Sequence, residues 1–144
     1  MNTQQSIQLF SASTDTHVDI PYANEGIHAG FPSPAQDFLD STIDLNKELI
    51  KNPSATFFGR VSGDSMKDLG IHDGDLLVID KSLEPLDGKI AVCFIDGEFT
   101  IKQIQRDADS CWLMPANPKY KPIRVTEQND FLVWGIVVHV IKSF

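Results

Sequence analysis

From Ala55 onward the apolar residues come in short runs rich in β-branched and aromatic side chains, broken at Asp73-Gly74, Asp87-Gly88 and Asp96-Gly97. Runs of this length, bounded by such pairs, predict strands joined by tight turns. The strands are expected at Thr56–Val61, Asp75–Asp80, Lys89–Ile95, Glu98–Gln105, Cys111–Pro115, Ile123–Val125 and Phe131–Ile141. Many short antiparallel strands make a mostly β domain, a folded sandwich or partial barrel. Upstream, Ser33-Pro34-Ala35-Gln36 predicts a helix start, in which Ser33 caps, Pro34 takes the first helical position and Gln36 completes a capping box. Helical spacing continues through Phe38, Leu39, Ile43, Leu49 and Ile50, with Asp44 restarting a second short helix and Asn52-Pro53-Ser54 ending it.

Residues 1–32 read differently. They hold no Lys or Arg, three acids (Asp15, Asp19 and Glu25), and isolated apolar residues without a period. This composition predicts a flexible N-terminal arm that cannot fold alone. The expected division is an arm over 1–32 and a folded domain over 33–144.

Composition narrows the function. A hydrophobic share of 42% allows a real core. No run approaches the length of a membrane span, and the polar start Met1-Asn2-Thr3-Gln4-Gln5 lacks the features of a secretory signal, so a cytoplasmic protein is expected. A net charge of −8 with scattered basic residues argues against binding along a phosphate backbone and points to protein partners. Cys93 and Cys111 lack metal-ligand spacing and read as small buried hydrophobes; neither a metal nor a cofactor is expected.

Candidate chemistry begins at Ser62-Gly63-Asp64-Ser65-Met66, behind a strongly apolar strand. Gly63 relaxes the backbone just before Ser65. Such a turn can leave the Ser65 hydroxyl exposed and aim neighbouring amides, those of Asp64 and Ser65, at one point as an oxyanion hole. Taken alone, the segment reads as a turn. Its base is not obviously a histidine: His17 and His28 lie in the arm, His72 beside a turn, and His139 in a Val-rich strand.

Lys102 offers more. A two-residue hairpin at Asp96-Gly97 sets Ile95 opposite Glu98, Cys93 opposite Thr100 and Ala91 opposite Lys102. Lys102 then shares a face with Ala91, Cys93, Thr100 and Ile104, while Ile90, Val92, Phe94, Phe99 and Ile101 form the expected core side. Small and apolar neighbours would desolvate its amine and lower its pKa toward the range of a general base. In isolation Lys102 reads better as an exposed strand lysine.

These pieces, in order, resemble the UmuD branch of the LexA-like self-cleaving serine peptidases, the S24 family. The residues that carry the resemblance are Ala29-Gly30-Phe31-Pro32-Ser33-Pro34-Ala35, Pro53-Ser54-Ala55-Thr56, Ser62-Gly63-Asp64-Ser65-Met66, Gly70-Ile71, Asp73-Gly74-Asp75, Gly97-Glu98-Phe99-Thr100-Ile101-Lys102, Met114-Pro115 and Trp134-Gly135-Ile136-Val137. They span residue 29 to the end, and the 37 residues from Ser65 to Lys102 suit the family's Ser/Lys dyad. The resemblance implies Ser65 as nucleophile, Lys102 as general base, and Ala29-Gly30 as the cleaved bond. Ala29 departs from the Cys common in UmuD relatives, but both residues are small.

The resemblance further implies a LexA/UmuD-like β domain, a homodimer, and self-cleavage promoted by the RecA filament on single-stranded DNA. The shortened form would support a UmuC-like Y-family translesion polymerase in the SOS response. Three other readings compete. A LexA-like or phage-type repressor needs a DNA-binding domain ahead of the cleaved bond, where residues 1–29 carry no basic charge and no helical period. A signal peptidase needs a membrane anchor. A non-catalytic interaction module with a vestigial dyad remains open to experiment.

Overall fold

The computed structural model describes residues 6–18, 20–22 and 41–144. In chain order its elements are β1 (Ser6–Ser11), β2 (Ile20–Tyr22), β3 (Ser41–Ile43), helix α1 (Leu45–Leu49), β4 (Thr56–Ser62), β5 (Leu76–Asp80), β6 (Ile90–Ile95), β7 (Glu98–Arg106), β8 (Cys111–Met114), β9 (Ile123–Val125) and β10 (Phe131–Ile141). Single 3-10 turns occupy Pro53–Ala55 and Lys67–Leu69. Two compact units result, one from residues up to Ala12 with Asn52–Phe144, the other from Ser13–Lys51.

In the smaller unit β2 and β3 pair antiparallel, with Ile20 opposite Ile43. Ile43 thus belongs to a strand, not to the helical run expected from its spacing. Thr42 and Ile43 are β-branched and favour the pleated backbone once a partner strand is present. Asp44 does start the short helix: its side chain accepts from the Asn46 N–H at 3.0 Å. His17 Nδ1 lies 2.6 Å from the other Asp44 oxygen, and Asn46 Nδ2 donates to Thr16 O at 2.9 Å. The helix start expected at Ser33–Gln36 lies outside the described residues.

The larger unit is an eight-stranded antiparallel sheet in the order β1-β4-β5-β10-β6-β7-β8-β9. All seven strands expected from Thr56 onward are present, with boundaries shifted by a residue at most. β1 comes from the segment read as an arm. Ile7 and Leu9 pack on the core while Phe10 faces solvent, and the strand runs antiparallel to β4 from Ser6 opposite Ser62 to Ser11 opposite Phe57. Among the described residues β1 takes its partner from β4, outside its own segment.

The sheet curls, and β1 also approaches β7. Two register shifts in β10, at Val133/Gly135 against β6 and at Val137/His139 against β5, bend the central strand. Alternation along β6 sends Val92 to one buried cluster, with Val61, Met66, Ile71, Leu77, Ile79 and Ile101. Ala91 and Cys93 go to a second, with Ile104, Leu113 and Ile136. Both faces of the β6–β7 hairpin are therefore buried. The expectation of a single core side on the Val92 face is corrected: Leu113 of β8 and Ile136 of β10 cover the opposite face, whereas Phe99 is exposed.

Gly135 of β10 is closely packed. A Cβ there would sit 2.6 Å from Ile79 Cγ2, inside the first cluster. Gly135→Ala is expected to cost about 1–3 kcal/mol by overpacking and to lower the melting temperature by several degrees, as a thermal melt would show.

Candidate active site

β4 delivers the chain to the turn that carries Ser65. Gly63 takes φ 95°, in the left-handed region that a side chain resists, and its N–H donates to Asp73 Oδ1 at 2.9 Å. The Lys67 N–H reaches back to Asp64 O at 3.2 Å and closes the turn. The loop from β8 to β9 fastens it from the other side. Ala116 N–H donates to Ser65 O at 2.8 Å, and Asp68 N–H donates to Ala116 O at 2.8 Å. Asn117 Nδ2 donates to Asp64 O at 2.9 Å, and Tyr120 Oη donates to Asp64 Oδ1 at 2.7 Å. This Tyr120 bond, aided by Lys119, Lys67 and Asp64's own amide, holds the Asp64 carboxyl below the usual range, against a smaller effect of burial. Beside the turn a cleft of about 310 Å³ is lined by Asp68, Pro115, Asn117, Pro118, Tyr120 and Pro122.

Ser65 is fully buried in the chain, not exposed as its turn suggested. The turn is drawn into the sheet by backbone bonds on both sides of the serine, which a short polar sequence does not reveal.

The β6–β7 hairpin delivers Lys102. Asp96 and Gly97 both have positive φ, 49° and 88°, the backbone of a tight two-residue turn. The register is the expected one: Ile95 pairs with Glu98, Cys93 with Thr100 and Ala91 with Lys102. Lys102 is only 5% exposed, which removes the surface-lysine reading.

Lys102 Nζ donates to Thr100 Oγ1 at 2.6 Å, to Ile101 O at 3.0 Å and to Ser65 Oγ at 3.2 Å. An ammonium has three donors, and here each has an acceptor. A neutral amine keeps two donors and gains a lone pair. With Thr100 Oγ1 and Ile101 O holding the two donors, the lone pair would face Ser65 Oγ. Thr100 stood on the expected face, two residues from Lys102, yet the sequence reading gave it no role; that spacing was the available signal.

The electrostatics match this geometry. Burial pushes the Lys102 amine from 10.5 down to about 8. The one opposing influence is a negative Cys93, and burial, with Cys111 beside it, pushes that thiol up to about 12. Cys93 is therefore a neutral thiol near neutral pH and provides no counter-ion to Lys102. Both cysteines are free, Cys93 buried and Cys111 half-buried.

Other expected residues fall elsewhere. His72 Nδ1 lies 2.9 Å from Lys142 Nζ, which also bonds Asp75 Oδ2. His139 is half-buried in β10. Ala29, Gly30 and His28 lie outside the described residues. Among the described residues, no group of three or more His, Cys, Asp or Glu side chains is gathered as a metal site requires, and no helix is long and apolar enough to cross a membrane.

Comparison with known proteins shows the family. A family model described as Peptidase S24-like matches residues 21–138. Protein SamA of Salmonella typhimurium is 43% identical over 123 residues, covering 85% of this chain and 87% of that protein. Protein MucA of Escherichia coli is 41% identical over 135 residues, 92% of each chain. The LexA repressor of Ectopseudomonas mendocina is 38% identical over 81% of this chain but only 57% of its own length. With a match from the smaller unit's β2 through β10, and relatives of this identity along most of their length, the chain belongs to the peptidase S24-like family as a UmuD-like member.

Proposed function

We propose that this protein is a self-cleaving serine endopeptidase whose nucleophile is Ser65, whose general base is Lys102, and whose substrate is its own Ala29-Gly30 bond. The observation that carries the reading is the 3.2 Å contact between Lys102 Nζ and Ser65 Oγ, made by a lysine that burial holds near 8. Neutral Lys102 takes the Ser65 proton as Oγ attacks the Ala29 carbonyl carbon. The resulting oxyanion is received by the amides of Ser65 and Asp64. Collapse breaks the Ala29-Gly30 bond, and the Lys102 ammonium returns its proton to the leaving Gly30 amine. Lys102 then deprotonates a water as it attacks the Ser65 ester, and returns that proton to Ser65 Oγ as the ester bond breaks, freeing the Ala29 carboxylate. No metal or cofactor is needed for any step.

In the wider role that family membership supports, cleavage answers the RecA filament on single-stranded DNA during the SOS response. The shortened cytoplasmic protein, as a homodimer, then serves a UmuC-like Y-family translesion polymerase. Loss of residues 1–29 takes the formal charge from −8 to −5, because that segment holds three acids and no bases. The cut thus changes the surface offered to protein partners, and sequence-specific DNA binding forms no part of the role.

The test is to incubate purified protein at alkaline pH, or with RecA, ATP and single-stranded DNA, and to follow its mass. Loss of the first 29 residues is the expected result; an intact chain under both treatments sinks the peptidase reading. Thr100→Val refines it. Without the Thr100 acceptor, the ammonium loses a charge-assisted bond worth about 1.5–3 kcal/mol and the neutral amine a weaker one of about 0.5–1.5 kcal/mol, so the midpoint of the pH–rate profile is expected to fall by about one unit. The limiting rate should fall about tenfold as the lone pair loses its orientation. An unchanged profile would remove Thr100 from the mechanism.

A further inference from the structure

Asn117 reaches the nucleophile turn from a loop 53 residues away in sequence, and it is buried. Its amide orientation is set on both sides: Lys119 N–H donates to Oδ1 at 3.0 Å, which leaves Nδ2 to donate to Asp64 O at 2.9 Å. The carbonyl of Asp64 and the N–H of Ser65 belong to one planar peptide unit and point in opposite directions. Whatever fixes the Asp64 carbonyl therefore aims the Ser65 N–H. The next peptide unit is held as well, since Ser65 O accepts from Ala116 N–H at 2.8 Å. Adjacent residues of one loop thus fasten both peptide planes flanking the nucleophile.

We propose that Asn117 is a positioning residue for the oxyanion hole: through Asp64 O it orients the Ser65 amide toward the charge that develops on the Ala29 oxygen. The inference rests on the Ser65/Lys102 reading above and adds a residue to which nothing in that reading gives a role. Asn117 touches no reacting atom; it acts through the backbone. Tyr120 holds the Asp64 side chain, a separate contact that leaves the peptide plane free to tilt. Lys67 N–H also bonds Asp64 O, at a longer 3.2 Å, so loss of Asn117 weakens the plane's restraint without removing it.

The effect should therefore be smaller than deletion of an oxyanion donor, which costs about 10²–10³-fold in rate. Asn117→Ala and Asn117→Asp are expected to slow self-cleavage by about 10- to 100-fold. The aspartate variant keeps an oxygen for Lys119 N–H but loses the donor to Asp64 O. The decisive readout is the pH–rate profile measured with wild type in parallel. A positioning role lowers the plateau while the midpoint set by Lys102 stays in place. A general loosening of the site would wet Lys102 and move the midpoint up toward that of an ordinary lysine. A lowered plateau with an unmoved midpoint in both variants supports the proposal. Wild-type rates in either variant, or a midpoint displaced upward, overturn it while leaving the dyad intact. An uncleaved wild type, by contrast, removes the dyad reading itself and this inference with it.

Discussion

Replacing Lys102 by methionine is expected to abolish self-cleavage and, at neutral pH, to make the protein more stable. The first effect follows from chemistry. Without a base the Ser65 hydroxyl keeps its proton, and loss of a member of such a catalytic unit typically costs on the order of 10⁴-fold or more in rate. Ser65→Ala removes the nucleophile and is expected to be equally inactive, with both variants intact by mass under conditions that cleave wild type.

The second effect follows from linkage. Lys102 is buried, and its pKa stands near 8 against 10.5 when unfolded. Below pH 8 both states hold the proton, and the folded protein carries the full penalty of a buried ammonium. Between the two values the unfolded state binds more protons than the folded one, so stability rises with pH across that window. The displacement corresponds to about 3 kcal/mol, partly offset in the variant by the acceptors at Thr100 and Ile101 that lose their donor. Lys102→Met should thus gain about 1–3 kcal/mol over wild type at pH 7, and the gap should close as pH approaches 10.5. Denaturant melts at several pH values test this independently of cleavage; a variant less stable than wild type at pH 7 would contradict the desolvated lysine.

Cleavage by the wild-type protein is expected to climb steeply with pH and then level off. With an amine near 8, the neutral fraction is about one part in a hundred at pH 6 and about nine-tenths at pH 9. The rate should rise roughly tenfold per pH unit below the midpoint, about 90-fold over that range, and change little above it. A flat profile between pH 6 and 9 would exclude Lys102 as the base. Near neutrality about a tenth of the molecules hold the neutral amine, so slow but measurable self-cleavage is expected there.

How far the sequence disclosed this depends on the distance between interacting residues. The β6–β7 hairpin was fully legible, because Asp96-Gly97 demands one turn geometry and a period of two then assigns every side chain to a face. Thr100, Lys102, Ala91 and Cys93 were placed together on that basis alone. Which face was core was not legible, since Leu113 and Ile136 arrive from strands whose position depends on the whole sheet order. The meeting of Ser65 with Lys102 joins a turn after β4 to a strand four places away across the sheet. No local pattern encodes that contact; the ordered family motifs pointed to it. Asn117 is a polar residue in a Pro-rich loop, and nothing at its own position distinguishes it from an ordinary turn former. Ser41–Ile43 misled for a related reason: an isolated apolar residue fits helical spacing until a distant β2 offers it a ladder.

The placement of β1 would make the outcome of a cut at Ala29-Gly30 depend on protein concentration. Residues 6–11 lie before Ala29-Gly30 in the chain, yet they are hydrogen-bonded along β4, with Ile7 and Leu9 packed on the core. Hydrolysis at residue 29 would cut the tether without unzipping that strand. Before the cut, β1 meets β4 at an effective concentration of about millimolar or higher, set by the connecting chain. After it, the same pairing becomes a bimolecular equilibrium governed by the concentration of the peptide itself. A nicked protein kept concentrated would retain its eighth strand, and dilution would be what releases it.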